Sequence, residues 1–333
     1  LPGSLPEQGI GEPISTNTPW TGDIVDRSWF TAPEYADYRR PGNVKVPFWL
    51  QPRTWYAGVA WYQRDVGVPA SWSGHATILR LERPHWETRV WVDGDLRSTN
   101  VSLSIPHEYD LGQLAPGRHT LTIRVDNRMV VDVGRNSHSV SDHTQGNWNG
   151  IAGRIEIEPR SPVRIDQQRV FPGNDGAVRV EVSVLNKMTG PVSGTLTAAV
   201  RSRRSGARVG EGRVEFSCPD GTHSAQSGGV IASEPKIILV RLDRPAELWS
   251  EFSPALYDLV TVVEASGEGQ RLRDEAGATF GFRDIGTEGT SFTVNGRKTY
   301  LRGTLECCIF PRTGHPPLEV DSWRRIIRVA QDH

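Results

Sequence analysis

The chain has 333 residues, 37% of them hydrophobic and 23% charged, with a formal net charge of −1 at pH 7. That composition suits a globular protein of two to three domains with enough apolar material for real cores. The near-neutral balance gives no electrostatic basis for nucleic acid or an anionic membrane as partner, and no apolar run reaches the ~18 residues that a membrane span needs.

Residues 1 to about 60 are rich in Pro, Gly, Asn and Trp, without helical periodicity, and read as a long lead-in. It must be tied down by its aromatic side chains, Trp20, Trp29, Phe48, Trp49, Trp55 and Tyr56. Strands are predicted at Gly58 to Val68, Ala76 to Leu81 and Glu87 to Val92. Asp93-Gly94 then turns the chain into Asp95 to Asn100, and further strands run through Leu121 to Asn127 and Ile151 to Ile157. Short strands at turn-punctuated spacing, with no helix between them, argue for an antiparallel sandwich or jelly roll. Pro159 to Pro162 reads as a linker. Beyond it Val178, Val180, Val182 and Val184 alternate strictly, followed by Leu196 to Val200, Val214 to Cys218, Ile237 to Leu242 and Tyr257 to Glu264. About seven strands suit an immunoglobulin-like sandwich, whose last strand is expected at Phe280 to Arg283. The locally basic stretch Arg201 to Arg213 reads as a solvated loop.

Asn295-Gly296 between two alternating runs predicts a type I′ hairpin, and its second run ends in Leu301-Arg302-Gly303. One helix closes the chain. Asp321 is expected to cap it, and Trp323, Ile326, Ile327 and Ala330 form one apolar face. Cys218, Cys307 and Cys308 have neither a disulfide framework nor C-x-x-C spacing, so free thiols are expected and no metal site is assigned.

Four of these segments, in order, resemble glycoside hydrolase family 2. Gly58 to Pro69 (GVAWYQRDVGVP) resembles a strand of that family's N-terminal sugar-binding jelly roll, and Glu87 to Leu96 (ETRVWVDGDL) a hairpin of the same domain. Ala246 to Leu259 (AELWSEFSPALYDL) resembles the signature of its immunoglobulin-like domain. Phe280 to Gly303 (FGFR, then FTVNG, then LRG) resembles the junction into its catalytic barrel. The resemblance implies a mainly β chain in three parts. Residues 1–160 would be the jelly roll with its lead-in, and 161–284 the immunoglobulin-like sandwich. Residues 285–333 would hold the hairpin, first strand and first helix of a truncated catalytic (β/α)8 barrel.

The resemblance also implies retaining hydrolysis of O-glycosidic bonds by two barrel glutamates. In the family both lie well beyond the positions matched here, so no catalytic residue is assigned and the 333-residue chain alone is expected to be inactive. Its implied role is to buttress the barrel and lend a loop to the pocket. The implied partners are a carbohydrate and the barrel of the same polypeptide. No cofactor is implied. The implied location is secreted or periplasmic; a start at Leu1, without Met, is compatible with a removed leader. Many family members continue LRG with a His-Glu segment, whereas Cys307 and Cys308 stand here, which points to a divergent subgroup.

The densest polar constellation is Arg135 to Gly150, holding His138, Asp142, His143, Gln145, Asn147, Trp148 and Asn149. Sugar sites need planar hydrogen-bonding groups for hydroxyls and an aromatic face for the apolar side of a ring. His138, Asp142, His143, Asn147 and Trp148 are therefore candidate substrate contacts. Arg302 and Glu306 join them as rim residues, since polar groups just past a barrel strand face its active site. The plainer reading of the loop is that its polar side chains satisfy backbone groups and its Trp packs into the sandwich. Nine of the eleven tryptophans fall within the first 148 residues; sugar-stacking platforms are one reading, and core packing is the plainer one that fits most of them, Trp61 and Trp91 included, since both sit within strand patterns. The competing reading of the whole is a stand-alone carbohydrate-binding or adhesion protein of two β-sandwich domains.

Overall fold

The computed structural model describes residues 1–22, 28–43, 52–134, 136–138, 140–142, 146–173, 175–219, 233–303 and 305–333. The chain is mainly β and divides into two compact units. One comprises Leu1–Ser73, Thr77–Pro159 and Thr304–His333; the other comprises Gly74–Ala76 and Arg160–Gly303. Among the described residues no helix is long and apolar enough to cross a membrane.

The first unit contains the short strands β1 (Gly3–Ser4), β2 (Glu12–Pro13) and β3 (Thr54–Trp55), then β4 (Val59–Val68), β5 (Ala76–His85) and β6 (Glu87–Val92). It continues through β7 (Asp95–Asn100), β8 (His107–Asp110), β9 (Gly117–Asp126) and β10 (Gly150–Arg160), with a single helical turn α1 (Ser28–Thr31) in the lead-in. Two antiparallel sheets result, with strand orders β1-β10-β5-β8 and β4-β9-β6-β7. Their facing sides share one core. Leu79, Leu81, Tyr109, Leu111 and Ile151 come from the first sheet and its flank, and Val90, Val92, Leu121, Ile123 and Val125 from the second. Apart from Leu111, which follows β8, each residue lies on the inward side of a period-2 strand, and burying one such aliphatic side chain contributes about 1.5–3 kcal/mol. Asp93 and Gly94 both have positive φ, 55° and 92°, so the β6–β7 turn takes the expected left-handed pair. In the lead-in, Trp20 is buried.

The second unit holds β11 (Val163–Pro172), β12 (Ala177–Asn186), β13 (Val192–Ser202), β14 (Arg208–Cys218), β15 (Lys236–Arg241), β16 (Tyr257–Gly267) and β17 (Gln270–Phe280). Sheets β11-β12-β15 and β14-β13-β16-β17 face one another. Val178, Val180, Val182 and Val184 are wholly buried between them, against Leu196, Val200, Leu259 and Val263. Asp274 ties β17 to the start of β11: it accepts both Arg160 Nε and Nη2, at 3.2 and 3.1 Å, and the Ile165 N–H at 3.0 Å.

Two of the sequence motifs are packing partners. Tyr257 stacks on Phe280 with ring centroids 5.7 Å apart and meets Phe282 edge-on at 5.1 Å. Its hydroxyl accepts the Glu247 N–H at 2.8 Å. The Trp249 N–H donates to the Phe282 carbonyl at 2.8 Å, and the Arg283 guanidinium lies 4.8 Å from the Trp249 ring.

Several local expectations are corrected. Phe280 to Arg283 is not a strand of its own: the ladder of β17 ends at Phe280, and Phe282 makes only an isolated bridge to Leu248. The hairpin forms with Asn295 and Gly296 at φ 51° and 74°, joining β19 (Ser291–Val294) to β20 (Arg297–Thr299), with β18 (Ile285–Glu288) as third strand. Leu301 to Gly303, however, lies outside any strand. Strand conformation needs a ladder partner, and Tyr300 and Leu301 stand 89% and 73% exposed instead. The final helix, α2 (Val320–Asp332), is capped at Glu319 rather than Asp321, without a side-chain cap. Asp321 sits in the first turn, where its charge suits the helix dipole, and pairs with Arg324 at 2.9 Å.

Gly194 of β13 is enclosed by β16. A Cβ there would stand 2.0 Å from the Glu264 carbonyl oxygen and 2.7 Å from the Ala265 Cα. Backbone atoms of a central ladder cannot yield, so Gly194→Ala is expected to cost about 3 kcal/mol or more. Denaturant titration checks this; an unchanged midpoint would show that the ladder tolerates the added methyl.

Candidate functional site

The connection from β9 to β10 is built from buried amides. Asn127 Oδ1 accepts the Gly58 N–H at 2.8 Å, and its Nδ2 donates to the Tyr56 carbonyl at 2.7 Å and to Asn147 Oδ1 at 3.1 Å. Asn147 Nδ2 donates to the Asn127 carbonyl at 3.0 Å. Asn149 Nδ2 donates to the carbonyls of Gly58 and Val125 at 2.9 and 3.2 Å. Asp142 joins the same network from the lead-in side. Its Oδ2 accepts the Thr21 N–H at 2.7 Å and Trp55 Nε1 at 3.1 Å, and its Oδ1 accepts the Asn147 N–H at 3.0 Å. Asp142 and Asn147 therefore direct their polar atoms into the protein, where they satisfy backbone groups that no strand ladder reaches.

The remaining candidates are dispersed. His138 is exposed on the turn before Val140. His143 lies outside the described residues, as do Arg135, Gln145, Phe48 and Trp49. Arg302 is exposed and belongs to the second unit. Glu306 is exposed in the first unit, and its Oε1 accepts the Cys308 N–H at 2.7 Å. Among the described residues no three His, Cys, Asp or Glu side chains are grouped to hold a metal ion.

Trp148 is different. It stands between two inward-turned asparagines and is itself 8% exposed, at the floor of a cleft of about 590 Å³. His85 stacks on its indole at 5.0 Å and 28°, and His315 leans against it at 5.2 Å and 56°. Gly314, Cys308 and Pro316 line the same cleft. The segment after residue 304 is seated there by specific contacts. The Ser4 hydroxyl donates to the Thr313 carbonyl, His315 Nδ1 donates to the Pro316 carbonyl at 2.9 Å, and His315 Nε2 lies 3.6 Å from a Glu7 carboxylate oxygen. Gly314, at φ +81°, approaches Trp148 so closely that a Cβ would lie 2.6 Å from the Trp148 Cβ.

The cleft wall carries three arginines, which lie beside Glu108, Glu82 and Glu156. Arg80, Arg83 and Arg154 line it with one carboxylate, Glu82. The Arg154 N–H, with the guanidiniums of Arg154 and Arg83, holds the Glu82 carboxyl below the usual carboxylate range. An aromatic floor with guanidiniums at its side can stack the apolar face of a sugar ring and bind its hydroxyls or a carboxylate. Trp148 is legible in the sequence, whereas His85, His315 and the three arginines are brought to it only by the fold. Gly314, at positive φ, precedes His315 and the pair Pro316-Pro317 in that seat.

The two units, each built from a pair of facing antiparallel sheets, define a tandem β-sandwich fold. Residues 163–283 match the model of Glycosyl hydrolases family 2. A β-glucuronidase of Paenibacillus borealis is 25% identical over 264 residues, covering 74% of this chain and 40% of the relative. A β-galactosidase of Arthrobacter sp. (strain B7) is 26% identical over 292 residues, covering 85% of this chain and 25% of the relative. The solved structure of Bacteroides uniformis β-glucuronidase 2, covalently bound to cyclophellitol-6-carboxylate aziridine, superposes with a TM-score of 0.66 at 18% identity, over 83% of this chain and 32% of that one. The chain thus spans well under half the length of these relatives.

Two predictions test the site's construction. Burial raises the Asp142 carboxyl above its ordinary pKa, against the N–H groups of Asn147, Thr21 and Trp55, which favour its anion. The folded pKa then exceeds the unfolded one, and the folded state binds the proton more tightly. The stability linked to that proton is complete below the unfolded value and is lost as pH rises through the folded value. In Asp142→Asn this loss is absent, so wild type is expected to lose Tm relative to the variant from about pH 4 upward. A pH-independent difference in melting temperature counts against the linkage. Gly314→Ala is expected to unseat the 306–316 segment, lowering Tm and speeding tryptic cleavage after Arg312; unchanged cleavage would mean that Trp148 accommodates the methyl.

Proposed function

We propose that this chain is the non-catalytic N-terminal part of a retaining glycoside hydrolase. In this reading residues 1–160 are the jelly roll, 161–284 the immunoglobulin-like sandwich and 285–333 the lead into a catalytic barrel. The chain supports that barrel and lends the Trp148 cleft to its substrate pocket. The observation that carries the proposal is the meeting of two remote segments around one cleft: the loop ending in Trp148, and the 306–316 stretch that follows the Leu301-Arg302-Gly303 motif. The face of α2 adds support. Ile327 on the apolar face is more than half exposed, and no residue of the helix is buried, as suits an element on which further polypeptide packs. That face disfavours the stand-alone binding protein. Export of the enzyme belongs to the same proposal and rests on family resemblance.

The arginines of the cleft favour a hexuronide over a neutral hexoside. Saturation-transfer NMR with methyl β-D-glucuronide is expected to show contact with the chain, lost in Trp148→Ala, while the chain leaves 4-nitrophenyl β-D-glucuronide and β-D-galactoside unhydrolysed. Turnover of either substrate by the chain itself would overturn the non-catalytic role. Unchanged transfer in Trp148→Ala would remove the cleft from the substrate site.

A further inference from the structure

The sheet β4-β9-β6-β7 has one face on the core and one face outward. On its outward face the registers Trp61↔Arg124↔Arg89 and Gln63↔Thr122↔Trp91 form two adjacent rows. The core side of β4 is taken by Tyr62 and Val66, so strand alternation turns Trp61 away from the core. The residue is 60% exposed. It reaches diagonally across β9 to Trp91, with ring centroids 5.2 Å apart and planes inclined by 39°. With strands ~4.8 Å apart, the pair covers a strip about 10 Å wide. This overturns the expectation that both tryptophans pack in the core.

The surroundings of the pair are polar. Gln63 Nε2 donates to Thr122 Oγ1 at 3.0 Å beside the rings. Arg89 and Arg124 both bind Glu87, Arg89 Nε to Oε1 at 2.9 Å and Arg124 Nη1 to the same oxygen at 2.5 Å. Arg124 also holds Asp126 at 2.8 Å. Further along the face, Asp65 accepts the Thr120 hydroxyl at 3.0 Å and lies 3.4 Å from Arg118 Nε. The charges near the platform are thus closed upon one another, which leaves little to attract a polyanion.

We propose that the Trp61–Trp91 face is a binding platform for a neutral polysaccharide, separate from the Trp148 cleft and not dependent on the reading of that cleft. A pyranose presents an apolar C–H face to an indole and hydroxyls at its edge. Here the indoles supply the first contact, and Gln63, Thr122 and Arg89 stand at hydrogen-bonding positions around them. A compact aromatic pair ringed by engaged polar groups fits a chain of sugar rings. A protein interface would instead be expected to add further large apolar anchors to its centre; among the described residues the apolar neighbours of the pair on this face are Leu96, across from Trp91, and the smaller Val59, two residues before Trp61.

Affinity electrophoresis of the chain in native gels containing galactomannan, xyloglucan or mixed-linkage β-glucan tests this, with alginate as the anionic control. At least one neutral polymer is expected to retard the wild type. Trp61→Ala, with an unchanged melting temperature, is expected to weaken that retardation about tenfold or more, and Trp148→Ala is expected to leave it intact. Sedimentation velocity of wild type and Trp61→Ala accompanies the gels. The proposal is overturned by retardation in alginate alone, by no retardation in any neutral polymer, or by equal retardation of Trp61→Ala. Self-association that Trp61→Ala abolishes would overturn it too, by assigning the face to a second copy of the chain.

Discussion

A buried peptide group must find a partner, and the connection between β9 and β10 has no ladder to supply one. Asn127, Asn147, Asn149 and Asp142 meet that demand with side-chain amides and a carboxylate, bridging Gly58, Tyr56, Thr21 and Trp55. The rest of the site follows. Because the residues on both sides of Trp148 are committed inward, its indole is left to the cleft, where His85 and His315 close upon it. The polar loop is thus a mould for an aromatic floor, and its hydrogen-bonding capacity is largely consumed in making that floor rigid.

The second unit shows the same economy at its far end. The motif around Trp249 and Tyr257 and the motif Phe280 to Arg283 are separated in sequence, yet each completes the other through a ring stack, a hydroxyl, a backbone hydrogen bond and a cation over an indole. Asn295 extends the arrangement by donating from Nδ2 to the Trp249 carbonyl at 2.9 Å. A run of residues that looks like a signature is therefore one half of a contact, and its spacing reflects the geometry of the other half.

Much of the fold was legible because period-2 alternation marks a strand buried on one face, as in Val178 to Val184. Strands that escaped were those without it. β11 and β17 carry charged and small residues along much of their length, and β8 has only four residues. The turn at Glu268-Gly269 adopts φ 49° and 75° without the Asn or Asp that announces such a turn. The tryptophans mark a deeper limit. Trp61 and Trp91 sit in well-patterned strands, but a pattern does not say which face is inward when both faces carry large rings. The site was legible only at Trp148, since the partners that shape its cleft, His85 and His315, come from distant parts of the chain and carry no shared local signal.

The β16–β17 hairpin has a consequence for how the second unit assembles. Tyr257 to Gly267 pairs without interruption against Phe280 to Gln270 across a two-residue turn, so the ladder can zip from its own turn with little loop entropy lost. The pairs of β13 with β16 and of β12 with β15 join segments far apart in sequence and close much larger loops. The hairpin that was hardest to recognise by composition is thus well suited to form early, a local template on which the slower, longer-range strands of the sandwich are laid.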